Sequence, residues 1–163
     1  MKVEEEIFIV IQRMHRLFKE KGLTLSVAES CTGGLISHYI TTLPGASIFF
    51  KAGIISYSIG VKKKILGVSF DVMSEYGVVS EETAREMADK VRLLTETDFA
   101  LSTTGNLGPD VLEGKEKGLV YMAVSKEALT VSRELRLKGD REENKERASL
   151  LALRFLIEMT EGG

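Results

Sequence analysis

An apolar-leaning run, Leu23-Thr24-Leu25-Ser26-Val27, stops at Ala28-Glu29-Ser30-Cys31-Thr32-Gly33-Gly34, and a helical pattern resumes at Leu35. A strand that ends on small hydroxyl-bearing residues and glycines, then restarts at once as a helix, is a βα unit. It restricts the chain to sheets in which helices carry the crossovers between strands. It also leaves backbone N–H groups beyond the strand tip, where an anion or a developing oxyanion is favoured. Ser30 and Thr32 are therefore the first candidate reactive groups.

The rest of the chain repeats this alternation. Val3, Ile7, Val10, Met14 and Phe18 recur at helical spacing up to Lys21-Gly22, a basic residue and glycine that suit a helix C-terminus. Leu23–Ala28 reads as a strand, and Leu35–Leu43 as a helix stopped by Pro44-Gly45. Ala46–Lys51 is ambiguous. Gly53–Tyr57 reads as a short strand buried on both faces, and Val61–Leu66 as one or two helical turns closed by Gly67. Ser80 caps a helix whose inward stripe is Ala84, Met87, Ala88, Val91 and Leu94. Asp98–Thr103 and Leu119–Ser125 read as strands, and Ala128–Leu137 as an edge strand. Glu142–Met159 is a long helix with Ala148, Leu151, Ala152, Phe155, Leu156 and Met159 on its apolar face. The expected fold is α/β: a three-layer α/β/α sandwich with a mixed sheet, the last strands forming a hairpin, in a single domain over residues 1–163.

Composition narrows the function classes. One cysteine among 163 residues rules out an internal disulfide, and no Cys/His spacing suits zinc, so no metal is expected and the chain reads as cytoplasmic. No apolar run approaches the ~20 residues of a membrane span. With 22 basic and 24 acidic residues interspersed there is no footprint for nucleic acid. Apolar residues outside the stripes, Ile48, Phe49, Phe50 and Leu112, lead us to expect a homodimer or higher homo-oligomer.

Ligands of such sheets gather beyond the C-terminal strand ends, and three motifs fall there: Glu29–Gly34, Tyr57–Lys62 and Thr103–Asp110. Ser30 or Thr32 offers a hydroxyl nucleophile, which needs a base beside it. Lys62 is that candidate, since desolvation and the adjacent Lys63 and Lys64 both disfavour an ammonium. Tyr57 can relay a proton. The amides of Cys31–Gly34 suit an oxyanion, and the Gly105–Gly108 loop suits a phosphate. Cys31 is the main rival to Ser30, although no histidine stands near it; His15 and His38 read as helix-surface residues. Structural readings exist for each: an N-cap turn, a solvated lysine face, a packed tyrosine and a tight glycine turn that matches neither phosphate fingerprint.

Taken together, Ala28–Gly34, Tyr57-Ser58 with Lys62, Gly77-Val78-Val79-Ser80-Glu81, Thr104-Gly105 to Gly108-Pro109-Asp110, and Gly139-Asp140-Arg141 resemble the CinA C-terminal domain family over nearly the whole chain. The resemblance implies an anticodon-binding-domain-like fold. It further implies a cofactor-free amidohydrolase that converts nicotinamide mononucleotide to nicotinic acid mononucleotide and ammonia. By the same resemblance Ser30 is the nucleophile, Lys62 its basic partner and Tyr57 the family's tyrosine. Glu29, Cys31, Thr32, Gly33, Gly34, Thr104, Gly105, Gly108, Arg141 and Lys145 would bind the nucleotide. The alternative is a non-catalytic nucleotide- or metabolite-binding module of the same fold. The chain departs from the family pattern at Ile59, where asparagine is usual; at Leu107, where alanine is usual and leucine is expected to narrow the cleft; and at Lys145, often an arginine.

Overall fold

The computed structural model describes residues 1–162. In chain order the elements are α1 (Val3–Lys21), β1 (Leu25–Glu29), α2 (Leu35–Thr42), β2 (Phe50–Ile55), α3 (Ile59–Val61), α4 (Phe70–Tyr76), α5 (Glu81–Thr95), β3 (Phe99–Gly105), β4 (Leu119–Lys126), β5 (Leu129–Arg136) and α6 (Arg141–Glu161). A 3-10 turn at Ala46–Ile48 and a π-type turn at Lys62–Leu66 complete the chain. The five strands form one mixed sheet in the order β2-β1-β3-β4-β5. β1 runs parallel to both β2 and β3, and β3-β4-β5 is an antiparallel meander.

Strand periodicity divides the core into two layers. On one face Leu25, Val27, Leu101 and Val124 pack under α1, α2 and α6, around Phe18, Phe49 and Phe155. On the other, Ala28 and Ala100 meet Met87 and Val91 of α5, with Leu66, Val68 and Val79 from the connections. The expected three-layer sandwich is thus the observed one. Among the described residues no helix is long and apolar enough to cross a membrane.

Several local expectations are corrected. β2 starts at Phe50 and is an edge strand with Lys51, Gly53 and Ile55 exposed, not a strand buried on both faces, because only β1 pairs with it. Leu23 and Thr24 lie outside β1: Thr24 is held by Asp98, whose carboxylate accepts from the Thr24 amide at 2.8 Å and hydroxyl at 2.9 Å. α4 was not anticipated; its signal is Ser69, whose hydroxyl accepts from the Val72 amide. Leu94 is exposed at the end of α5. In α6, Leu150, Leu153 and Ile157 are buried along with the expected face, and Leu151 and Met159 only half so, because the helix is wedged between sheet and α1. His15 is buried, with Nε2 2.8 Å from the Ile40 carbonyl, and burial holds its pKa below the ordinary value. Of the four apolar residues that suggested self-association, Phe49 is fully buried and Phe50 half-buried; Ile48 and Leu112 are exposed.

Candidate active site

The parallel pairing of β2, β1 and β3 brings their C-terminal ends to one edge of the sheet, so the three motifs meet there. The Glu29 carbonyl still accepts from the Ser56 amide at 2.8 Å, and the Ser30 amide donates to the Thr103 carbonyl at 3.0 Å. The Glu29–Ser30 peptide group is therefore the last one held from both sides. Beyond it the chain must reverse into α2 within four residues, which Gly33 (φ +58°) and Gly34 (φ +101°) allow by adopting left-handed backbone. A Cβ on Gly34 would stand 2.9 Å from the Ile55 side chain, so any other residue would be both strained and crowded.

A count of backbone donors in this turn identifies what is free. The Gly33 amide donates to the Ser30 carbonyl and the Leu35 amide to the Thr32 carbonyl. The amides of Ile36 and Ser37 donate to the Glu29 carboxylate. Among the described residues, the amides of Cys31, Thr32 and Gly34 have no acceptor. Unpaired N–H groups beside a hydroxyl are the requirement for holding an oxyanion.

Lys62 reaches Ser30 because the chain doubles back after β2. The Ser58 hydroxyl accepts from the Val61 amide and starts a helical turn that widens into the π-type turn, ended by Gly67 at φ +81°. π-type turns recur at functional sites, where the wider backbone re-aims a side chain. Here it turns Lys62 inward to 2 % exposure. Its Nζ donates to Ser30 Oγ at 2.8 Å and to the carbonyls of Ser56 at 2.7 Å and Tyr57 at 3.1 Å. Burial lowers its pKa from 10.5 to about 8, and the nearby Cys31 acts weakly the other way. The expected contribution of Lys63 and Lys64 is corrected: both side chains are exposed, and that of Lys63 lies over the Phe70 ring.

The phenol of Tyr57 does not join this pair. It is 59 % exposed and accepts from Arg141 Nη2 at 3.0 Å, while Arg141 Nη1 donates to the Gly108 carbonyl at 2.6 Å. What Tyr57 offers Lys62 is its backbone carbonyl. Thr32 is fully buried and its hydroxyl donates to Glu29, so of the two candidate nucleophiles only Ser30 meets an amine. Cys31 is no rival: it packs with Leu107, Val120 and Ala148, and burial pushes its thiol up to about 12. Alkylation of the native protein by iodoacetamide near pH 8 is accordingly expected to be at least ~10³-fold slower than of the unfolded chain. Rapid native-state modification, followed by mass spectrometry, would contradict this placement.

The remaining predicted contacts divide. Glu29 is fully buried with both carboxylate oxygens engaged inside the protein, and the Thr104 hydroxyl donates to the Val78 carbonyl, so neither side chain is open to a ligand. Gly105 lies inside the sheet, where a Cβ would sit 2.6 Å from the Leu119 carbonyl oxygen. Leu107 points into the core against Cys31 instead of narrowing the cleft. Ile59 is exposed. Lys145 is half-buried with Nζ 3.3 Å from where a Gly33 Cβ would lie, and its amine makes no hydrogen bond or ion pair among the described residues. Arg141 and Lys145 thus form a cationic rim one helical turn apart. Three residues escaped the sequence reading. Asn106 ties its loop to Leu112 and Lys115, Asn144 donates to the Leu107 carbonyl, and Glu113 accepts from the amides of Val78 and Val79. Only Asn106 carried a signal, as a turn former beside Gly105.

The fold as a whole is similar to that of solved structures. The competence/damage inducible protein CihA from Agrobacterium tumefaciens is 32% identical and superposes with a TM-score of 0.89 over 93% of this chain and 94% of its own. A CinA superfamily protein from Klebsiella pneumoniae is 26% identical, with a TM-score of 0.93 over 96% of this chain and 99% of its own. Among curated relatives, a competence-damage inducible protein of Caldicellulosiruptor saccharolyticus is 47% identical over 141 residues, 86% of this chain and 34% of that protein. Another, from Caldanaerobacter subterraneus subsp. tengcongensis, is 42% identical over 148 residues, 90% of this chain and 36% of that protein. The chain therefore spans about a third of the length of these relatives. The model of the CinA C-terminal domain matches residues 9–160, and the chain belongs to that family.

Proposed function

We propose that this domain is an amidohydrolase that converts nicotinamide mononucleotide to nicotinic acid mononucleotide and ammonia. The observation that carries the reading is the 2.8 Å hydrogen bond between Ser30 Oγ and a buried amine whose pKa lies near 8. A free serine hydroxyl is a poor nucleophile at neutral pH, and an amine that is partly neutral there can take its proton as the oxygen attacks. The Ser30 oxygen adds to the carboxamide carbon while its proton moves to Lys62 Nζ. The carbonyl oxygen becomes an oxyanion, for which the unpaired amides of Cys31, Thr32 and Gly34 are the available donors. Lys62 then protonates the departing nitrogen as the C–N bond breaks, leaving an acyl ester on Ser30. Water hydrolyses the ester, with Lys62 again taking and returning a proton. Arg141 and Lys145 supply the positive charge for the phosphate; Arg141 would exchange the Gly108 carbonyl and the Tyr57 hydroxyl for phosphate oxygens.

Incubation of the purified domain with nicotinamide mononucleotide is expected to release one ammonia per nicotinic acid mononucleotide, measured by coupled assay and mass spectrometry. A second reading, a binding module that holds the nucleotide uncleaved, is favoured by the low exposure of the hydroxyl: Ser30 is only 7 % exposed, and the Tyr57 phenol is held by Arg141 instead of by the Ser30–Lys62 pair. Calorimetric binding of the nucleotide with no product after long incubation would select that reading over the enzyme.

A further inference from the structure

We propose that Glu29 is a positioning residue for Ser30: its buried carboxylate sets the turn that presents the nucleophile and its oxyanion amides. This role rests on the hydrolase reading above and assigns to Glu29 something other than substrate contact.

The carboxylate is fully buried, and among the described residues no cation pairs with it. Such a charge is costly unless its oxygens are well supplied with donors. Here four neutral donors meet it. Oε1 accepts from the Thr32 hydroxyl at 2.6 Å and the Ile36 amide at 3.0 Å; Oε2 accepts from the Ser37 amide at 3.0 Å and the Ser37 hydroxyl at 2.7 Å. The two amides belong to the first turn of α2, where the helix dipole also favours a negative charge. A neutral side chain would fill the same volume without the desolvation cost, so the charge has to do something that packing does not.

What it does follows from which donors it takes. Glu29 stands at the end of β1, directly before Ser30, and its carboxylate reaches across the turn to the far side. The turn is thereby clamped at both ends: the Ser30 amide on the Thr103 carbonyl, and the start of α2 on Glu29. Thr32, between them, is fixed as well. Its single hydroxyl proton goes to Glu29, so at the 2.8 Å contact with Thr103 the Thr103 hydroxyl is the donor. By occupying the Ile36 and Ser37 amides, Glu29 also removes the donors of α2 that would otherwise attract an anion, leaving the amides beside Ser30 Oγ as the ones available. A catalytic constellation misplaced by ~1 Å loses ~10²-fold in rate, so a clamp of this kind acts on turnover without touching substrate.

The test compares wild type with Glu29→Gln. Glutamine keeps the shape but turns one end into an NH2 group that faces a backbone amide donor, Ile36 or Ser37, whichever way it points. Labelling of Ser30 by a fluorophosphonate, followed by intact mass, reports on the nucleophile and the oxyanion amides whatever the natural substrate is. Labelling is expected to slow by ~10–100-fold in the folded variant. On nicotinamide mononucleotide kcat is expected to fall by a similar factor with KM within about twofold, and the pH midpoint to stay where Lys62 sets it. An unchanged labelling rate, or a loss confined to KM, overturns the role. Should the glutamine variant not fold, Ser37→Ala is the second variant: it removes the hydroxyl that donates to Glu29 Oε2 at 2.7 Å, loosens the far end of the clamp and is expected to slow labelling by ~3–10-fold. An unchanged labelling rate in that variant also overturns it. A wild type that labels at Ser30 yet leaves the nucleotide intact sinks the proposed substrate and not this role; a wild type that does not label at Ser30 sinks both.

Discussion

Ser30→Ala and Lys62→Met are each expected to lower turnover of nicotinamide mononucleotide by ~10³-fold or more, and the double variant to be no slower than the worse single one. The two groups act as a unit: without the amine the hydroxyl keeps its proton, and without the hydroxyl the amine has nothing to activate. Multiplying losses in the double variant would mean that the 2.8 Å contact is structural only. The pH dependence follows with a definite sign. Only the unprotonated amine accepts a proton, so the wild-type kcat/KM is expected to rise about tenfold per unit as pH approaches 8 from below, and to level off above it. A flat profile between pH 6 and 9 would remove Lys62 as the base.

The same amine links activity to stability. In the unfolded chain Lys62 keeps its proton up to about 10.5, whereas in the folded protein it loses it near 8. Between those values the unfolded state binds more protons, so stability rises with pH across that window; below it a penalty of ~3 kcal/mol is present in full. Unfolding midpoints of wild type and Lys62→Met, compared at pH 7 and pH 10, are expected to shift in favour of the wild type at the higher pH. Using the difference between the two proteins cancels the other lysines and tyrosines that titrate there.

Gly118→Ala is expected to be the most destabilising single-methyl change in the site's framework. Gly118 has φ +87°, and an added Cβ would lie 1.8 Å from the Leu137 carbonyl oxygen, which is backbone and cannot swing away. The glycine also donates to the Asn106 carbonyl at 2.6 Å and accepts from the Leu137 amide at 2.8 Å, joining the glycine loop to the outer end of the β4–β5 hairpin. Left-handed strain and a forced separation of these backbones together give a loss of ~3 kcal/mol or more, a fall in Tm of roughly 6–12 °C for a chain of this size. Gly22→Ala is the control. It has φ +64° with nothing within 4 Å, so strain acts alone and the loss is expected near ~1 kcal/mol. Similar calorimetric midpoints for the two variants would show that crowding at Gly118 is absorbed by small shifts.

Local chemistry made much of this protein readable. Gly22 and Ser80 cap their helices as their types suggest, and the Ser30–Gly34 turn is where hydroxyls and glycines interrupt the pattern. The errors fell where burial depends on a distant neighbour. Gly53–Ile55 has the apolar character of a central strand yet lies at the edge, since nothing in the six residues of β2 states how many strands will flank them. Leu107 and Cys31 look like cleft residues by position in sequence and pack together in the core.

The alternation of strand, turn and helix, the caps and the reactive residue types were determined by the sequence alone, because each depends on backbone preferences within a few residues. Only the tertiary structure decided that an amine 32 residues away lies on Ser30, that Tyr57 turns to an arginine 84 residues away, and that Glu29 faces inward. The reason is physical: pKa, access and hydrogen-bond partners follow from which surfaces the parallel strand pairing brings together, and that pairing has no local signature.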